Sequence, residues 1–115
     1  MTEQVDPSDK RFMKNYKTAS PDILQAYAAF SGTVFAAEGR AIPKKYRELM
    51  AIAVSMTTQC PYCIEAHTAT AIAAGATEEE IAEAIWVSAA VRAGGSYTHG
   101  RLAFKQGDAH FHPAA

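Results

Sequence analysis

Cysteine is scarce in this 115-residue chain: there are two, and both fall in Cys60-Pro61-Tyr62-Cys63. Placed at random they would sit three apart only about 2% of the time, so the pairing reads as a motif. Charge of one sign is also missing. Eleven Lys and Arg face twelve Asp and Glu, for a net charge of −1. No basic patch invites nucleic acid. Long hydrophobic runs are absent too. The longest uncharged stretch, Leu49 to Ile64, is too short and too polar for a membrane span of about 20 apolar residues. Met1-Thr-Glu-Gln-Val-Asp lacks the basic and apolar regions of a signal peptide, which implies a cytoplasmic location. In that reducing compartment a C-x-x-C is redox-active or metal-binding more often than a structural staple. Strand-forming runs of Val, Ile and Thr are lacking, whereas alanine fills helical runs. Hydrophobic residues make up 49% and charged residues 20%, enough for one globular domain. The fold class is therefore all-α, with no internal repeat.

The helices have start and stop signals. Residues 1–20 are polar and without sustained period, and are expected to form an N-terminal arm with a short helix near Phe12 to Tyr16. Ser20-Pro21-Asp22 places an N-cap, a proline and an acid in order for a helix start. Ile23, Leu24, Tyr27, Phe30, Val34 and Phe35 then recur at helical spacing, a predicted core face that ends at Gly39. Phe30, Val34 and Phe35 have pocket lining as their second reading. Ile42-Pro43 opens a second helix to about Thr58, with Tyr46, Leu49, Met50, Ala53 and Met56 as its apolar stripe. A third carries the cysteines and ends before Gly75. Thr77 and Glu80 form a capping box for a fourth, from Glu78 to about Ala93. That helix is apolar nearly all round, and its Trp86 is expected to be buried. Gly94-Gly95 should break it, leaving a fifth from Ser96 to about Lys105. Residues 21–106 form the helical domain, and 107–115 read as a frayed tail.

The chemistry concentrates between Glu48 and His67. If Cys60 opens a helix, residues 60, 63 and 67 fall within roughly 60° of arc at about 100° per residue. The thiolate is the nucleophile, and a helix N-terminus or a nearby histidine lowers a thiol's pKa from ~8.5. His67, one turn beyond Cys63, can take the thiol proton. A sulfenic acid formed on one sulfur can condense with the other thiol into a disulfide. Helix-terminus physics favours Cys60 as the acidic thiol; register favours Cys63. Upstream, Glu48, Ile52, Ser55 and Gln59 share the most polar face of the second helix. Glu48 has two readings: a carboxylate that orients His67, or a solvated partner of Lys44 or Lys45.

Glu48, then Cys60-x-x-Cys63, then His67, resembles the active-site signature of the alkylhydroperoxidase AhpD-like group within the carboxymuconolactone decarboxylase superfamily. The resemblance runs from about Ile42 to about Phe104, through the Ala-rich helix, Gly-Ala-Thr-Glu-Glu-Glu-Ile and Arg-Ala-Gly-Gly. It implies a helical bundle of about five to six helices that assembles as a homo-oligomer, trimer or hexamer. It also implies a peroxiredoxin-type enzyme without a cofactor or metal. Cys63 attacks a hydroperoxide, Cys60 resolves, His67 and Glu48 relay protons, and a dithiol or dithiol protein is the reductant. The chain departs from the best-known members at Tyr62, where they have histidine. The decarboxylase branch does not rely on a cysteine pair. Two other functions compete. One is a zinc site at Cys60, Cys63 and His67 with His99 or Glu48 as fourth ligand. The other is a helical oligomer whose cysteines sense redox state without turnover. His99 has packing or exposure as its default reading.

Overall fold

The computed structural model describes residues 6–114. It contains five α-helices and one 3₁₀ segment and, among the described residues, no strand. Asp6 opens the 3₁₀ segment Pro7–Met13 by accepting the Ser8 N–H at 2.9 Å. That bond holds the Asp6 carboxyl below its ordinary pKa. The helices α1 (Lys14–Ala19) and α2 (Pro21–Val34) follow. Most of the expected arm is thus helical; its first five residues lie outside the described residues.

Three helices make the body of the fold: α3 (Lys44–Thr58), α4 (Pro61–Ala73) and α5 (Glu78–Phe111). The turn between α3 and α4 is tight. Gln59 takes a left-handed φ of 54°, and the Cys60 N–H reaches back to the Ser55 carbonyl at 3.2 Å. This is the Schellman pattern with glutamine where glycine is usual, at a cost of about 1–2 kcal/mol for a side chain in that region. Cys60 thereby becomes the N-cap of α4. The α4 C-terminus closes in the same way around Gly75, with φ 95° and an Ala76 N–H to Ala71 carbonyl bond of 2.9 Å. The predicted capping box opens α5: Glu80 N–H donates to Thr77 Oγ1 and Thr77 N–H to Glu80 Oε1. Glu80 also pairs with Lys45 of α3 at 2.9 Å. The Thr77 amide, then Lys45, holds the Glu80 carboxyl below its usual range.

Packing is confined to one place. Leu49, Ile52 and Ala71 are the buried apolar residues among those described, with Met56, Ala76, Ile81, Ala84 and Ile85 packed around them. The inward face of α3 is therefore Glu48, Leu49, Ile52 and Ser55. Of the predicted apolar stripe only Leu49 is fully buried; Tyr46 and Met50 face solvent. The α2 helix touches the body mainly at its C-terminal end. Arg47 holds that end, donating to the Val34, Ala36 and Ile42 carbonyls, and Lys44 donates to Phe35. Beyond that end α2 packs, among the described residues, mainly against α1, and Ile23, Tyr27 and Phe30, expected in the core, are about two-thirds exposed.

Two further expectations are corrected. The helix begun at Glu78 does not break at Gly94-Gly95 but runs unbroken for 34 residues to Phe111, through the segment expected to fray. Glycine lowers helix stability by about 1 kcal/mol per site without forbidding the conformation. Helix formers on both sides carry the helix through. Trp86, expected inside, points outward on this helix. Among the described residues no helix is long and apolar enough to cross a membrane.

Candidate functional site

The short α3–α4 turn lays α4 back along α3, and the two helices meet across a polar contact. Glu48 projects from the buried face of α3 and is 1% exposed. Its Oε1 accepts from His67 Nδ1 at 2.7 Å and from the Thr70 hydroxyl at 2.7 Å. A buried carboxylate is stable only when such donors replace its water. Neither Lys44 nor Lys45 is its partner; those side chains bond Phe35 and Glu80. The solvated-pair reading of Glu48 is thereby overturned. With Nδ1–H directed at the carboxylate, the lone pair of His67 lies on Nε2. The Phe35 ring covers the imidazole, centroids 4.7 Å apart and tilted 35°.

Cys60 and Cys63 are joined as a disulfide, their Cα atoms 5.2 Å apart. Cys60 Sγ accepts the Cys63 N–H at 3.3 Å, so sulfur does the N-cap's work at the mouth of α4. A thiolate there meets unpaired amides and the positive end of the helix dipole. Cys63 and His67 line one cavity of about 360 Å³ between α2, α3 and α4. Val34, Phe35, Met50 and Val54 give it apolar walls, and Ser55 and Arg47 also line it.

Phe35 and Val34, whose second reading was pocket lining, therefore reach the site, while Phe30 stays in solvent. Tyr62 is not in this cavity. It lines a separate crevice against the 3₁₀ segment, beside Asp9, Lys10 and Met13. His99 is elsewhere as well, on distal α5, where its ring bonds the Gly95 carbonyl at 3.0 Å. The zinc arrangement does not fit. The sulfurs are bonded to each other, and among the described residues no group of three or more His, Cys, Asp or Glu is placed to hold a metal ion. Sequence reasoning missed Thr70. Its signal was register: Cys63, His67 and Thr70 stand at i, i+4 and i+7 on one helix face.

Comparison with known proteins agrees with this architecture. The profile of the carboxymuconolactone decarboxylase family matches residues 21–106, and the chain belongs to that family. A Paracoccus denitrificans protein, described as "uncharacterized protein 4 in cox locus", is 48% identical over 85 residues, 74% of this chain and 75% of that one. An uncharacterized protein of Haemophilus influenzae is 45% identical over 66 residues, 57% of this chain and 53% of its own length. The fold is shared with a crystal structure of a carboxymuconolactone decarboxylase family protein from Legionella pneumophila. That match has a TM-score of 0.68 at 22% identity and covers 79% of this chain and 81% of the other.

Proposed function

We propose that this chain is a thiol-dependent peroxidase of the AhpD-like kind, working as a homo-oligomer in a reducing compartment such as the cytoplasm. The observation that carries the reading is the shared cavity of Cys63 and His67, with the Glu48 carboxylate fixed behind the imidazole. In the reduced protein His67 Nε2 takes the Cys63 thiol proton, and Glu48 stabilises the imidazolium that forms. The Cys63 thiolate attacks the distal oxygen of a hydroperoxide. An S–O bond forms, the O–O bond breaks, and the leaving alkoxide or hydroxide takes the proton back from His67. Cys60 thiol then displaces hydroxide from the Cys63 sulfenic acid, giving the disulfide and water. A dithiol donor restores both thiols through a mixed disulfide and leaves oxidised itself. Cys63 is assigned the attack because it lines the cavity, while Cys60 stands at its N-cap edge.

The test is steady-state peroxide consumption with a dithiol reductant. Wild type should turn over, and Cys63→Ser should lose both turnover and the oxidised-form disulfide. If both single-cysteine variants consume peroxide as wild type does, the proposal is wrong.

A further inference from the structure

The chain exposes far more surface than its mass requires. A folded 12.4 kDa monomer presents about 6,100 Å². This one presents 9187 Å², roughly 3,000 Å² more. Its radius of gyration is 20.2 Å, against about 13 Å for a compact domain of this length. Ile23, Tyr27 and Phe30 of α2 are exposed, as is nearly all of α5 beyond Arg92, whose bond to the Thr57 carbonyl is the last side-chain hydrogen bond from α5 to α3 among the described residues. Past that point the polar side-chain bonds are local to the helix, as in His99 to Gly95 and Arg101 to Thr98.

The exposed arm is patterned. Ala82, Trp86, Ala89, Ala93, Tyr97, Gly100, Phe104, Gly107 and Phe111 recur at steps of three and four, within roughly 80° of arc and over about 44 Å. From Ala82 onward no charged residue enters this stripe. Along it every aromatic residue has Ala or Gly as its neighbour in the stripe. Trp86, Tyr97, Phe104 and Phe111 are 71%, 87%, 72% and 60% exposed. Phe111 folds its ring over Gly107, where an added Cβ would lie 2.6 Å from it. Gly100 has open space above it and no left-handed φ, so nothing within the protomer requires glycine there. Glycine inside a helix is destabilising, and close approach of another chain is a reason to keep it.

We propose that this stripe is the seat of a second copy of the chain, with aromatic knobs of one protomer set against the small residues of the other. The proposal rests on the self-association stated above and locates it. One standard interface uses only about 800 Å² per partner. The excess here is several times that, which fits an obligate assembly in which α2's exposed face is also covered. The apolar residues of α5 as a whole lie all round the helix, whereas a helix resting on a membrane keeps one face strongly charged.

Trp86 is the chain's single tryptophan and reports on the stripe without mutation. In the purified full-length protein its emission should be blue-shifted and shielded from acrylamide, and sedimentation should show multiples of the protomer down to nanomolar concentration. Tyr97→Glu with Phe104→Glu should drop the mass and lower the melting temperature. Gly100→Leu separates the cases by sign: a free arm melts higher or unchanged, a paired arm melts lower and dissociates. A wild-type monomer with water-exposed Trp86 emission would overturn both self-association and its location. So would a monomer that binds only anionic vesicles. An oligomer unmoved by all three substitutions would overturn the location alone. Cys60→Ser with Cys63→Ser should assemble as wild type, which separates the interface from the redox assignment.

Discussion

Glu48→Gln is the substitution that isolates the carboxylate's charge from its shape. Oε1 accepts two bonds, from His67 Nδ1 and Thr70 Oγ1, both at 2.7 Å. A hydrogen bond to a charged group contributes about 1.5–3 kcal/mol and a neutral one about 0.5–1.5, so making the acceptor neutral weakens each by about 1 kcal/mol. Thr70 is partly exposed, which trims its share. The expected loss is about 1.5–2 kcal/mol, or roughly 10 °C in melting temperature for a domain of this size. Glu48→Ala removes the acceptor altogether and leaves the His67 Nδ1–H without its partner, while Thr70 can still donate to the Ala66 carbonyl at 3.0 Å, so about 2–4 kcal/mol should be lost. The catalytic effect is separate. An amide cannot balance the charge on His67 as it takes the thiol proton, and turnover of Glu48→Gln should fall about 10²-fold or more. Thermal melts of wild type, Gln and Ala variants at one protein concentration, with peroxide consumption measured on the same samples, test both halves. A Glu48→Gln protein that melts and turns over like wild type would refute the carboxylate's role.

Three further outcomes follow from the local structure. Thr70→Val should lower turnover and Thr70→Ser should restore it, because the hydroxyl and not the methyl reaches Glu48; equal activity in all three would leave Thr70 without a role. Gln59→Gly should stabilise the protein by about 0.5–1 kcal/mol in chemical denaturation, since only glycine takes the left-handed φ of 54° without strain. Thr77→Ala should cost about 1 kcal/mol by removing the α5 N-cap. The same cap carries a pH dependence. Glu80's carboxyl is depressed on folding, so its stabilising effect is full above the ordinary carboxylate pKa of ~4.3 and is lost as pH falls through its lower folded value. Glu80→Gln should therefore flatten the acid limb of the stability curve.

Helix starts were legible because capping is local chemistry: Thr77 and Glu80 satisfy each other's orphan amides within one turn, whereas at Ser20-Pro21-Asp22 the proline marks the start and the Ser20 side chain makes no cap bond. The Glu48, Cys60, Cys63 and His67 spacing was legible as a site, though spacing could not show which side of α3 faces inward. The stripe bearing Glu48, Ile52 and Ser55 looked polar and proved to be the buried one, because His67 and Thr70 supply the donors that make a carboxylate tolerable there. Thr70 itself was hidden for the same reason: its value depends on a partner 22 residues away. Burial of Trp86, Ile23, Tyr27 and Phe30 was misjudged from hydrophobicity, which marks surface to be covered and not the chain that covers it. Gly94-Gly95 reads as a break because glycine's cost is local, whereas the helix formers that outweigh it are spread along α5.

The most direct measurement of the central chemistry uses the reduced Cys60→Ser protein, in which no disulfide can form. One equivalent of hydroperoxide should convert Cys63 to its sulfenic acid, trapped by dimedone and located by mass spectrometry, and His67→Ala in the same background should slow that reaction sharply. No adduct on Cys63, or equal rates with and without the imidazole, would contradict it.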